Sequence, residues 1–333
     1  MTTLSDNFLL GDRGWAHFSA TSDLSQIAVT HSEQHPYDVW LGELTNQDNQ
    51  PATITWHRCT HLNPLAEETL SLASTERIRY ESVDGWNIEA LITWPKKSAT
   101  ASPPPLIVNV HGGPSGAWQD DWDFYRTQTL AAAGYAVLCP NIRGSIGRGV
   151  AFADAVIGDM GGKDLQDVLK GVDYLVERKL VDGERVGIMG WSYGGFMTAW
   201  AVTQTNRFKA AIMGAGISDF HSFHAQTNIQ DWDMRFLGTV NEPANPLTDI
   251  AIYRDHSPLT YASQATTPTL IVHGEKDLCV PVNQAWAFYR ALLEQGIPVE
   301  LITYPREGHG LTERKHTLDY MQRTLNWFNR FLS

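Results

Sequence analysis

Residues 185–200 read RVGIMGWSYGGFMTAW, and the fold follows from how this stretch is understood. Ser192 stands between Gly190 and Gly194 in a G-x-S-x-G arrangement, directly after a short apolar run and directly before a segment of helical pattern. A serine at a sharp strand-to-helix turn is held off its own backbone and presented to solvent, which is where a nucleophile is needed. The two glycines fit this reading, because a side chain at either position would collide with the neighbouring strand and helix. The alternative is a structural serine that caps the next helix. Trp191 and Tyr193 read as core residues, yet residue 193 also offers a backbone N–H toward the place where an oxyanion would form.

Working outward, short apolar runs alternate with helical patterns from about residue 77 onward. The strand candidates are RIRYESV, NIEALITW, PLIVNVH, YAVLCPN, RVGIMG, KAAIMGAG, PTLIVHG and PVELITY. Most are apolar almost throughout, as strands covered on both faces are. Val83-Asp84-Gly85-Trp86 between the first two is a hairpin signal, so the sheet is expected to open antiparallel and continue parallel. Leu165, Val168, Leu169, Val172, Leu175 and Val176 form a helical stripe, and further helices are expected at about 194–206, 282–295 and 313–332.

The first 75 or so residues have no helical period. WAHFSAT, SQIAVTHS, YDVWLGEL and PATITWHR are four strand-like runs between polar turns, the pattern of one propeller blade. The expected division is therefore an N-terminal β segment at 1–76 and an α/β catalytic domain at 77–333. A lone blade leaves strand edges and apolar residues such as Trp40, Leu41 and Trp56 needing cover, so self-association through this segment is expected. The stretch KKSATASPPP at 96–105 is read as a surface loop.

Serine is a poor nucleophile at its own pKa and needs a base within hydrogen-bond reach, with a carboxylate to hold that base. In a sheet of this kind the chain order is serine, acid, histidine. After Ser192, PTLIVHG runs into EKDLCVP and VELITYP into REGHGL, and both leave the sheet at its carboxyl edge. Asp277 and His309 are thus the expected acid and base, with Glu275 the alternative acid. His111, His273, His221, His224 and His316 are the other histidines weighed; the HSFH pair lacks a third ligand nearby, so no metal is expected. The glycine loop His111-Gly112-Gly113-Pro114 after PLIVNV supplies donors for the oxyanion, which are assigned to the Gly113 and Tyr193 N–H groups. The stretches 141–149, NIRGSIGRG, and 157–164, IGDMGGKD, lack both the P-loop ending and the dinucleotide layout. They are read as loops in which Arg143 and Asp159 pair with each other or with carbonyls.

Composition sets limits on the rest. The 333 residues are 43% hydrophobic and 19% charged, which suits a folded globular chain, and a net charge of -12 argues against nucleic acid and anionic membranes as partners. Cys59, Cys139 and Cys279 are odd in number and far apart, without a disulfide or zinc pattern. No membrane-spanning run and no signal-like start is seen, so a cytoplasmic protein without cofactor is expected.

Taken together, HGGP, NIRGSIGRG, GDMGGKD, GWSYGGFMTAW, HGEKD and EGHG, in this order and spacing, resemble the catalytic domain of the prolyl oligopeptidase family, its acylaminoacyl-peptidase and dipeptidyl-peptidase branches above all. The resemblance covers about residues 77–333. It implies an α/β-hydrolase fold, maps the triad onto Ser192, Asp277 and His309, and implies a substrate pocket at Ile217, Phe220 and Phe223. Two departures stand out. Family members carry a full propeller that restricts access, whereas residues 14–75 resemble one blade; and many carry Arg or Asn where this chain has Cys279, which implies weaker peptide anchoring. The expected activity is peptidase-type serine hydrolysis of short peptides or small acyl substrates. The alternatives are a carboxylesterase of small acyl esters and an inactive interaction module.

Overall fold

The computed structural model describes residues 15–31, 37–45, 53–64, 69–96, 102–119 and 127–333. The expected loop at 96–105 lies partly outside them, at 97–101.

Two sheets account for the strands among the described residues. The first pairs β1 (Trp15–Ala20), β2 (Gln26–His31), β3 (Asp38–Thr45) and β4 (Thr53–Arg58) in chain order, antiparallel throughout. These are the four runs of the blade-like pattern. The second sheet has eight strands: β5 (Thr75–Glu81), β6 (Asn87–Thr93), β7 (Pro105–Val110), β8 (Ala136–Asn141), β9 (Asp182–Trp191), β10 (Ala210–Gly214), β11 (Thr269–Gly274) and β12 (Val299–Tyr304). Their spatial order is β12-β11-β10-β9-β7-β8-β6-β5. From β8 to β12 all neighbours run parallel, while β6 is antiparallel to both β8 and β5. The β5–β6 hairpin turns at Val83–Gly85, where Asp84 and Gly85 take φ of 60° and 77°. Asp-Gly tolerates this left-handed region where bulkier pairs would not.

The inner strands β7, β8, β10 and β11 are apolar almost throughout because each faces two cores, whereas the edge strands β5 and β12 carry charged residues. Leu106, Val108 and Val110 of β7 point into one buried cluster, and Ile107 points into the other. The first cluster is covered by helices α1 (Lys163–Glu177), α2 (Tyr193–Gln204) and α3 (Asn283–Glu294), which contribute Leu165, Phe196 and Phe288 among others. The second is covered by α4 (Arg314–Leu332) through Tyr320, Trp327, Phe328 and Leu332. α2, directly under the elbow, is buried on nearly every side, which explains why its sequence is apolar all round rather than striped. This is the doubly covered α/β-hydrolase arrangement. Its consequence for chemistry is that the loops after β7, β9, β11 and β12 all emerge at one carboxyl edge, where open α/β sheets place their sites.

Candidate active site

Ser192 sits between β9 and α2 with φ 61° and ψ −118°, a conformation unusual for a residue with a side chain and characteristic of a strained elbow. Its N–H donates to Gly214 O at 2.9 Å, tying the elbow to β10. A Cβ at Gly190 would lie 2.5 Å from the Gly194 carbonyl carbon, and one at Gly194 would lie 2.0 Å from Val110 O. Neither position accepts a side chain, so the sharp turn requires both glycines.

His309, on the loop after β12, reaches this elbow. Its Nε2 is 2.8 Å from Ser192 Oγ and its Nδ1 is 2.7 Å from Asp277 Oδ2, on the loop after β11. The carboxylate accepts only, so Nδ1 carries a proton and Nε2 is left to accept from the serine hydroxyl. Asp277 is buried among donors: Cys279 and Val280 N–H at 2.9 Å on Oδ1, and His273 Nε2 at 3.3 Å from Oδ2. Burial opposes ionisation, but the bonds from His273 and His309, the charge of His309 and the Val280 N–H outweigh it and bring Asp277 down to about 2. For His309, burial again disfavours the charge. Hydrogen bonding to Asp277 and its negative charge prevail, with the Cys279 side chain acting in the same direction, and lift it to about 9. Glu275, the alternative acid, bonds Thr303 Oγ1 instead.

The His309 loop is pinned from two directions. Trp191 Nε1 donates to His309 O at 2.6 Å, and the indole ring stands edge-on to Tyr320 of α4. The buried Glu307 carboxylate accepts from the N–H and hydroxyl of Thr312, from Glu313 N–H and from His316 Nδ1, all within 2.9 Å. Neither Trp191 nor Glu307 is marked in the sequence as part of the site. Their only local signal is position, one residue before Ser192 and two before His309.

The glycine loop after β7 runs against the elbow, since a Cβ at Gly112 would lie 3.4 Å from Ser192 Cβ. His111 is buried, with Nδ1 2.8 Å from Gly112 O and Nε2 2.8 Å from Ser145 Oγ, and burial lowers its pKa. The stretch 141–149 therefore serves this loop through Ser145. Arg143 differs from expectation. Its partner is Asp167, at 2.8 Å, with Asp84 at 3.4 Å, and not Asp159, which accepts from Lys163 N–H. The reason is burial: Arg143 and Asp167 are both buried, the guanidinium over the Trp86 ring, where a charge needs a counter-charge.

Ile217, Phe220 and Phe223 are all buried in the core. Phe220 and Phe223 lie against Trp232, ring centroids 6.4 and 5.8 Å away, and Trp232 Nε1 donates to Gly113 O at 3.1 Å. The half-buried Trp232, which sequence reasoning passed over, is thus the member of this aromatic group that touches the glycine loop. On the other side of the elbow a cavity of about 230 Å³ is lined by residues including His111, Trp118, Trp191, His309 and Tyr320, and by none of the three.

Comparison with known proteins agrees with this geometry. The prolyl oligopeptidase family profile matches residues 121–333. An uncharacterized peptidase of Bacillus subtilis, YuxL, is 38% identical over 80% of this chain and 40% of its own length. The acylamino-acid-releasing enzyme of Sus scrofa is 30% identical over 76% of this chain and 34% of its own. Among solved structures, the Pyrococcus horikoshii acylaminoacyl peptidase superimposes with a TM-score of 0.80 at 28% identity, covering 96% of this chain and 56% of that one. The chain spans less than half the length of these curated relatives. With the profile extending over more than half of its residues, the chain belongs to the prolyl oligopeptidase family.

Proposed function

We propose that the chain is a serine peptidase acting on short peptides or acylaminoacyl substrates, with Ser192 as nucleophile, His309 as base and Asp277 as the group that holds His309. The observation that carries this is the unbroken hydrogen-bonded series Ser192 Oγ, His309, Asp277, with Nε2 as its accepting atom. His309 Nε2 takes the hydroxyl proton as Ser192 Oγ attacks the carbonyl carbon. The negative oxygen is received by the Gly113 and Tyr193 N–H groups. The proton then passes to the leaving amine, and water attacks the acyl-enzyme by the same route, releasing the acid and restoring the serine. Ile217, Phe220 and Phe223 back the pocket wall beneath Trp232 in this reading. The names of the relatives, acylamino-acid-releasing enzyme and dipeptidyl-peptidase 5, and a similar structure solved with Z-Gly-Gly-Phe-chloromethyl ketone, support the substrate class.

Ser192→Ala is expected to abolish both turnover of aminoacyl p-nitroanilides and labelling by a fluorophosphonate, and unchanged turnover would refute the assignment. Equal acyl groups presented as amide and ester separate a peptidase from an esterase, because the latter cleaves almost none of the amide. The division at 76/77, cytoplasmic residence and self-association through β1–β4 belong to the same reading. The change of sheet between Arg58 and Thr75 supports a division in this region, with β5 already begun two residues before 76/77; three free cysteines support the second, and edge strands β1 and β4, which pair with no further strand among the described residues, the third.

A further inference from the structure

Two glycine-rich stretches carry no member of the triad, yet the second, 157–164, ends beneath the elbow. Asp164 closes the second of them in the first turn of α1 and is fully buried. Its Oδ2 accepts a very close hydrogen bond from the Tyr193 hydroxyl, while its Oδ1 accepts from Leu165 N–H at 2.9 Å. The Gly161 N–H reaches the same carboxyl. Tyr193 is itself buried, its ring 5.3 Å from Phe196 and 6.4 Å from Trp232. Less than one turn further along α1, Asp167 holds Arg143 through Nε and a terminal nitrogen at 3.0 and 2.8 Å, and its backbone carbonyl accepts from Tyr80. The N-terminal end of α1 is therefore held to the loop after β8 by a buried ion pair and to the elbow by the Tyr193 hydroxyl.

Packing alone does not call for this arrangement. A phenylalanine at 193 facing an apolar residue would fill similar space without burying a carboxyl, which costs free energy even when fully bonded. What the pair adds is direction. Residue 193 is fixed at its Cα by the elbow and at its far end by Asp164, so its side chain has one orientation and its peptide plane follows.

We infer that Asp164 is a positioning residue for the oxyanion hole, acting through the Tyr193 hydroxyl to fix the peptide N–H that receives the developing negative charge. The inference rests on the reading of Ser192 as nucleophile. Burial lifts Asp164 to about 7 and raises Tyr193 well above its ordinary range, with Asp159 and Asp167 the other charged groups acting on the pair. Ionised, the aspartate only accepts, so the tyrosine hydroxyl is the donor above that titration.

The experiment compares the parent with Tyr193→Phe, Asp164→Asn and the double variant on one aminoacyl p-nitroanilide. Fluorophosphonate titration first counts competent molecules, and Ser192→Ala serves as the blank; activity persisting in that blank would overturn the nucleophile assignment, separately from this proposal. Each single variant is expected to lower kcat about ten- to a hundred-fold with KM within twofold, as a misdirected donor does. Affinity for a peptidyl boronic acid, which forms the tetrahedral adduct, should fall by the same factor, and the double variant should be no worse than the poorer single one. A folded variant with kcat within twofold of the parent, a loss expressed in KM, or additive losses in the double variant would overturn the proposal. Should one single variant fail to fold, the other carries the same kcat and boronate readouts.

Discussion

Replacing Asp277 by Asn tests the tautomer argument directly. Oδ1 faces two backbone donors, Cys279 and Val280 N–H at 2.9 Å each, whose positions the loop determines. The Asn carbonyl must take that place, which turns its NH2 toward His309 Nδ1, 2.7 Å from Oδ2 in the parent. Two donors cannot face each other, so Nδ1 becomes the acceptor and the ring proton moves to Nε2. That proton then points at Ser192 Oγ, 2.8 Å away, and the lone pair that should accept the hydroxyl proton is gone. Crowding is worsened by His273 Nε2, 3.3 Å from Oδ2 and already donating to Val280 O. The expected loss is about 10⁴ in kcat, or about 5.4 kcal/mol of transition-state stabilisation at about 1.36 kcal/mol per factor of ten. The assay is steady-state turnover of a p-nitroanilide, normalised to correctly folded protein by circular dichroism and melting temperature. An Asp277→Asn enzyme within tenfold of the parent would refute the reasoning.

Two further outcomes are expected. Because the proposed base His309 could accept a proton only when neutral and its pKa is raised from 6.5 to about 9, kcat/KM should climb through that interval and level off above it. Asp277, ionised above about 2, adds no limb in the same range, so a plateau already reached at pH 6 would count against the pairing. Arg143→Met should cost about 3–5 kcal/mol of folding stability, since it leaves the buried Asp167 carboxylate without its counter-charge. Urea unfolding checks this, and a loss below about 1 kcal/mol would show that Asp167 finds other compensation.

Much of the scaffold was legible because its signals are local. Continuous apolar runs reflect strands covered on both faces, and Gly190 and Gly194 mark a turn in which no side chain fits. Asp277 and His309 could be picked out because strand ends and chain order suffice to bring them to one edge. The pocket assignment was harder, as apolar residues such as Ile217 and Phe223 look the same in sequence whether they back a wall or face a ligand.

What the sequence alone determined, then, is the alternation of strands and helices and the three positions at the sheet edge. Only the tertiary structure decided which side chains support them: Trp191 on the His309 carbonyl, Asp164 on the Tyr193 hydroxyl, and Arg143 on Asp167 rather than Asp159. Periodicity is written between neighbours along the chain. These contacts join residues 118, 29 and 24 positions apart, and such pairings exist only once the two cores have packed and set the distances between loops.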